Sequence, residues 1–400
     1  MKNFLILLSI SLTLYLSAAL FKIYYESKVY NKTFIADLSS EEKLIGHEYE
    51  KEVKYVGTIG DSYSYIKRGY WIYKEFKLLD YNRPQIAFLF AIFMFIFNKY
   101  FLLAMLLFNT ILFSVSLTIL LNLLNPNKLL FNLILLLFTF AFTFYFVPLL
   151  MPDPIIASII LISLIFLKLN RKKLTLISLF IASILRPEFV LIMLLFGIFL
   201  KSLPLSLLLS IITLTPQIIL NKYLDQSRFY SWSLKGYYIH IKNMKIQDAN
   251  KHMEEIWNNC ESLNKDDCYK RLLIKAIKED YDKVIPFAIK NAILNPIKLL
   301  FFPIDRYSSG KQKILYPFYI VLSILYSIML IISILKQKNE KLILYSIITL
   351  SIIISSIFIL NPTTTGYPGF ASRFKIFLIP FEIYLIAKTF ATTEFKTTKL

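Results

Sequence analysis

Blocks of about twenty apolar residues recur along this chain, among them Phe101 to Leu124, Leu129 to Leu150 and Ile314 to Leu335. A helix of roughly that length crosses the ~30 Å hydrocarbon layer of a bilayer, where only helices and closed barrels satisfy their own backbone polar groups. In water these blocks would need more polar surface than the chain owns, since 56% of its residues are hydrophobic and 16% aromatic. The expected fold class is all-α, a polytopic transmembrane helical bundle of about 9 to 12 spans. Two extracytoplasmic loops bearing amphipathic helices complete it.

Charge follows the same logic. The chain carries 45 Lys and Arg against 26 Asp and Glu. Lys and Arg gather at helix ends, where they anchor to headgroups and set orientation, so the excess reads as membrane topology rather than as a nucleic-acid surface. No zinc-finger spacing or aromatic single-strand platform accompanies it. The two cysteines, Cys260 and Cys268, share one polar stretch. They bridge if that stretch is extracytoplasmic and stay free thiols otherwise. Lys2 followed by the apolar run Phe4 to Phe21 reads as a retained signal anchor, because a cleavable signal has a shorter apolar region.

The chain divides into a first transmembrane helix at 1–22, an extracytoplasmic loop at 23–84, a transmembrane module at 85–220, a second loop with a peripheral helix at 221–312, and C-terminal spans at 313–400. In the first loop, Asp37 to Glu42 carries a helix-start signal. Ser62 to Leu79 then reads as a surface helix with Tyr65, Ile72, Tyr73, Phe76 and Leu79 on one side and Lys67, Arg68, Lys74 and Glu75 on the other. The links Lys168 to Lys173 and Lys336 to Lys341 are basic and belong inside; 221–283 and Asn361 to Arg373 belong outside. One conflict remains: with 23–84 outside, four crossings would put Lys168 outside as well. The stretch 85–97 is too short for a simple span and is expected not to cross.

Charged residues at membrane depth or at its surface are the functional candidates. Asp61 stands at the mouth of the surface helix, with a helix N-cap as its bland alternative. Tyr81 and Arg83 stand where the chain re-enters the membrane, and Arg83 reads equally as a snorkelling anchor. Asp153 lies in Met151-Pro152-Asp153-Pro154, a plausible cap beside a helix-starting Pro. Arg186-Pro187-Glu188 sits between two short apolar runs, and Arg373 follows the loop NPTTTGYPGFAS. A Pro-broken pair of helices that buries an ion pair is costly without a purpose.

The order of these features resembles the GT-C superfamily of polyprenyl-phosphate-dependent glycosyltransferases, which includes protein O-mannosyltransferases and lipid A aminoarabinose transferases. Members have a first span, an outer loop with an acid before surface helices, and a basic-Pro re-entry like Tyr81-Asn82-Arg83-Pro84-Gln85. A Pro-Asp step like Pro152-Asp153, a small-residue helix ending in Arg-Pro like Leu174 to Pro187, and an Arg-aromatic step like Arg373-Phe374 follow. Asn295-Pro296 is similar to the family's step before a peripheral helix. The likeness covers about residue 4 to 390, with two departures: Asp61 is followed by Ser62-Tyr63 rather than a second acid or an Arg, and Pro84 by Gln85 rather than a second Pro.

The resemblance implies inverting transfer of a sugar from a polyprenyl-phosphate donor to a lipid, glycan or protein acceptor. The reaction would sit at the outer face of the plasma or inner membrane. It makes Asp61 the base and gives Arg83, Tyr81, Asp153, Arg186 and Arg373 to substrate and phosphate binding. No metal ligand set is expected, since the three His form no HExxH pairing, although a divalent cation is left open. The competing readings are a transporter or flippase of lipid-linked sugars, and a glycan polymerase or ligase.

Overall fold

A computed structural model describes residues 2–45, 55–57, 61–76, 84–144, 146–224, 228–260, 265–301, 316–337, 340–356 and 370–392. Among them there is no strand; one isolated bridge joins Thr33 to Tyr55, and the regular structure is otherwise helical. The chain forms two compact units. One takes Met1–Thr213, Ile328–Ser346 and Ile379–Leu400; the other takes Leu214–Ser327 and Ile347–Leu378.

The first unit begins with α1 (Lys2–Val29), α2 (Glu41–Ile45), α3 (Asp61–Glu75), α4 (Pro84–Phe97), α5 (Phe101–Leu124) and α6 (Leu129–Thr143). It continues with α7 (Asp153–Lys168), α8 (Lys172–Leu185), α9 (Val190–Phe199) and the start of α10 (Leu203–Leu224). Their hydroxyls largely bond to their own helix. Thr110, Thr118, Thr139, Ser158 and Ser210 each donate to the carbonyl four residues back at 2.7–2.9 Å. Buried serines and threonines thus need no outside partner, while Leu130, Leu208, Ile211 and Phe95 face outward.

The contacts of α1 fix its direction. Asn3 Nδ2 donates to Pro126 O, Ser11 Oγ meets Ser114 Oγ at 2.7 Å, and Tyr15 OH meets Thr143 Oγ1 at 2.6 Å. α1 therefore runs antiparallel to α5. At the Asn3 end of this unit, Lys128 Nζ donates to Phe390 O at 2.9 Å, the Lys388 ammonium meets Glu340, and Phe199 lies against Tyr345. At the opposite end, Gly57 N donates to Glu26 Oε2 at 3.0 Å and Leu150 N donates to Gly57 O at 2.9 Å.

Two stretches among the described residues are long and apolar enough to cross a membrane by length and composition, Lys2–Val29 and Gln85–Leu124. The second is not one rod. Asn98 has φ +49°, and Phe93 and Phe108 have ring centroids 5.5 Å apart. In a continuous helix, residues that far apart in sequence would stand about 22 Å from one another. α4 and α5 are instead a hairpin. α3 packs on α4 at Gly69, where a Cβ would come within 2.6 Å of the Phe90 Cβ. α3 buries Tyr65, Ile66, Tyr70 and Ile72. It differs from the expected face in two places: Arg68 is buried, and Phe76, just past the helix with φ +52°, is 88% exposed.

The second unit holds α11 (Arg228–His240), α12 (Ile246–Asn259), α13 (Lys265–Glu279) and α14 (Tyr281–Phe301). Where the sequence reads as a polar loop, these helices enclose a small core of Leu234, Tyr237, Tyr269, Leu273, Ala276 and Val284. A Cys260–Cys268 disulfide joins the end of α12 to α13. The Asp280 carboxylate takes Lys242 Nζ at 2.6 Å and the Tyr237 hydroxyl, which together hold it below the usual carboxylate range. Burial and the Asp280 bond push the Tyr237 phenol up to about 12. α15 (Tyr316–Lys336), α16 (Lys341–Ser356) and α17 (Phe370–Thr392) each contribute residues to both units.

Gly57 has φ +76°, and a Cβ there would sit 3.3 Å from both Leu106 Cδ1 and Pro148 O. Gly57→Ala keeps the N–H and C=O that tie Glu26 to Leu150, so it isolates strain and space. It is expected to lose about 1–2 kcal/mol of stability, seen as a fall of a few degrees in the melting temperature of the purified protein. An unchanged melt would remove Gly57 from the joint.

Candidate functional site

The segment before α7 is held from two sides. Asn109 Nδ2, from the middle of α5, donates to Leu149 O at 2.7 Å and to Met151 O at 3.3 Å, while Leu150 N reaches Gly57. Pro152 takes the N-cap position and makes no side-chain cap, and Asp153 opens the helix with Pro154 behind it. An acid in the first turn suits the positive end of the helix dipole. Asp153 is only 3% exposed, and its Oδ1 faces across to α8.

α7 and α8 form a tight hairpin. Asn170, at φ +58°, and the Arg171 N to Phe166 O bond of 2.9 Å close the helix end. Lys168, Arg171, Lys172 and Lys173 are exposed at that turn. Each helix is about 21–24 Å long, so the start of α7 and the end of α8 meet at the far end of the hairpin. There Arg186 is extended (φ −141°, ψ +102°), as the residue before a proline prefers, and turns its guanidinium back onto α7.

Arg186 Nη2 donates to Asp153 Oδ1 at 2.7 Å, and Nη1 stands 3.6 Å from Glu188 Oε1. Arg186 is 4% exposed. The Tyr65 phenol, on the buried face of α3, is within electrostatic reach of the same guanidinium. Among the described residues, one guanidinium therefore faces two carboxylates, with Tyr65 of α3 nearby. A buried pair of this kind survives only with good geometry and further hydrogen bonds.

Of the sequence candidates, Asp153 and Arg186 are brought together, and Asp61 heads the helix whose next turn supplies Tyr65. The side chains of Asp61 and Arg373 lie outside the described residues, as do Tyr81 and Arg83 altogether. The ion pair read at Arg186-Pro187-Glu188 is present, but sequence reasoning missed Asp153 as the closer partner of Arg186, and Asn109 and Gly57 as the holders of the Leu149–Met151 segment. It also missed Lys375 in the second unit, which is 1% exposed and donates to Leu300 O at 2.7 Å over the Tyr326 ring. An Asn or Lys inside an apolar block was the available signal.

No group of three or more His, Cys, Asp or Glu able to hold a metal ion occurs among the described residues. Comparison of the chain with protein-family models, with curated proteins and with solved structures returns no match.

Removing Arg186 would take from the buried Asp153 carboxylate its 2.7 Å hydrogen bond. Arg186→Met is expected to cost about 3–5 kcal/mol, and Asp153→Asn added to it should restore most of that loss. A double-mutant cycle on thermal unfolding reads the coupling; strictly additive effects would mean the pair contributes nothing.

Proposed function

We propose that the chain is a membrane glycosyltransferase of many spans that moves a sugar from a polyprenyl-phosphate carrier to an acceptor at the outer face. The α7–α8 hairpin carries this reading: four exposed cations at one end, and the buried Asp153–Arg186 pair at the other, beside a polar loop that begins with Asp61. Cations stay on the inner side of a membrane, so the acid–arginine end points outward.

The same rule threads the whole chain. α1 runs from Lys2 inside to the Glu26–Gly57 joint outside; α3 and α4 stay at the outer surface; α5 returns to the Asn3–Pro126 end. Ten crossings follow, namely α1, α5 to α10 and α15 to α17. Lys128, Lys168 to Lys173, Lys201, Lys336 and Lys388 all fall inside. The conflict in the sequence map disappears once α4 is the partner of α3 rather than a span. The helices from Arg228 to Phe301 fall outside, where an oxidising compartment suits their disulfide.

In the proposed reaction the acceptor hydroxyl oxygen attacks the anomeric carbon and forms the new glycosidic bond. The bond from that carbon to the phosphate oxygen breaks with its electron pair, and the acceptor proton passes to the Asp61 carboxylate. One displacement without a covalent intermediate inverts the anomeric configuration. Arg186 already faces two carboxylates, so its role in this reading is to fix the outer end of the hairpin beside α3. Arg83 and Arg373 are left to meet the charge on the departing phosphate. The carrier's lipid tail is the reason for a membrane scaffold.

Two experiments test this. In intact cells, an impermeant maleimide should label Cys260 and Cys268 only after an external reductant, and Asn170→Cys in a chain lacking both should stay unlabelled. The opposite pattern would overturn the threading. Asp61→Asn should insert normally yet accumulate the lipid-linked sugar on the outer leaflet while the surface glycan loses one residue. Turnover near the parent's level would take Asp61 out of the mechanism, and accumulation confined to the inner leaflet would favour a flippase.

A further inference from the structure

Between Ile35–Ser39, the last turn of α3 and the Asn98–Tyr100 turn lies a cleft of about 600 Å³. Ala36 N donates to Lys99 O at 2.9 Å and fixes one wall. Asp37, Ser39, Tyr73, Lys74, Asn98 and Lys99 line it. Two features make it unlike an ordinary surface hollow.

Its charge is uncompensated. Lys74 and Lys99 are exposed, and neither forms an ion pair with a carboxylate among the described residues. Each ammonium instead lies over a neighbouring ring, Lys74 5.7 Å from the Tyr73 centroid and Lys99 5.2 Å from that of Tyr100. Asp37 does not balance them, because its carboxylate already takes Ser39 N at 2.9 Å and stands 3.9 Å from Lys43. Such cations on the outer side run against the bias that places Lys and Arg inside.

Its surroundings are apolar. Phe76, Phe95 and Ile96 are 88%, 77% and 65% exposed, and Tyr73 packs its ring against Phe95. Water would meet these rings at a cost; acyl chains would not. A hollow with two ammoniums beside exposed rings at a membrane surface matches one chemistry, a phosphate oxyanion carried on acyl chains.

We propose that this cleft binds the headgroup of an anionic phospholipid of the outer leaflet, with the phosphate between Lys74 and Lys99 and the chains against Phe95 and Ile96. The lipid pins the α4–α5 turn at the surface, so that α4 lies with α3 rather than crossing. The proposal rests on the membrane threading above, not on sugar transfer.

The test uses the full chain in phosphatidylcholine nanodiscs with and without phosphatidylglycerol, with retained lipid read by native mass spectrometry. The parent protein should retain phosphatidylglycerol selectively. Lys74→Gln with Lys99→Gln should weaken retention about thirtyfold, since each Lys near a membrane surface contributes about fivefold, and the Lys→Arg pair should keep it. Both side chains are exposed, so melting temperatures should stay level and exclude misfolding. Equal retention in the Gln variant overturns the proposal. So does inorganic phosphate that binds the detergent-solubilised protein through these lysines and displaces the lipid, which would mark a free-phosphate site. A chain that retains the lipid but transfers no sugar would leave this site standing and refute only the enzymatic reading.

Discussion

Glu26 sits at the end of a long apolar helix, where an unpaired carboxylate would be expensive. It is held there by Lys32 at 2.9 Å, Lys22 at 3.6 Å and the Gly57 amide at 3.0 Å. Gly57 in turn accepts from Leu150, four bonds along a path that leads to Asp153. Three parts of the sequence distant from one another therefore share one joint: the end of α1, the outer loop and the entrance to α7. A side chain at Gly57 would push on Pro148 and Leu106 together. This joint ties the polar loop to the segment that leads into α7.

That hairpin turns sequence distance into proximity. Asp153 and Arg186 are thirty-three positions apart, and two helices of similar length running back to back bring them together. Proline sets both ends: Pro152 and Pro154 start α7, and Pro187 forces Arg186 out of the helix so that its side chain can reach across. Glu188 follows within the short 3-10 turn and approaches from the other side. The arginine is thereby held between two carboxylates among the described residues.

Local signals were legible in the sequence, and distant partnerships were not. The apolar blocks gave α5 and α15 to α17 nearly to length, whereas α6 ends at Thr143, well inside the block Leu129 to Leu150. The break between 85–97 and the next block was legible, and the structure places a turn at Asn98 there, with Phe93 against Phe108. The amphipathic pattern found α3 but misjudged Arg68 and Phe76, since a wheel carries no knowledge of where the helix stops. The stretch 221–283 looked like loop because its apolar residues are spread thinly; four helices gather Leu234, Tyr237, Tyr269 and Leu273 into a core only after folding. Asn109 and Gly57 were invisible for the same reason: each acts on a partner far along the chain.

The polar contents of the apolar helices separate into two kinds, and the difference guides where chemistry can happen. Most hydroxyls bond to the carbonyl one turn back, which satisfies them locally and leaves helix packing to apolar contact. Ser11, Tyr15 and Asn109 instead bond across helices, and they do so along α1, α5 and α6 and at the approach to Asp153. Bonds across helices fix register, which a lipid-facing surface of leucines cannot do alone. Among the described residues, several of these specific contacts gather where α1, α5 and α6 meet and at the approach to Asp153. A reaction that needs its groups held to a fraction of an ångström is best placed above the part that cannot slide.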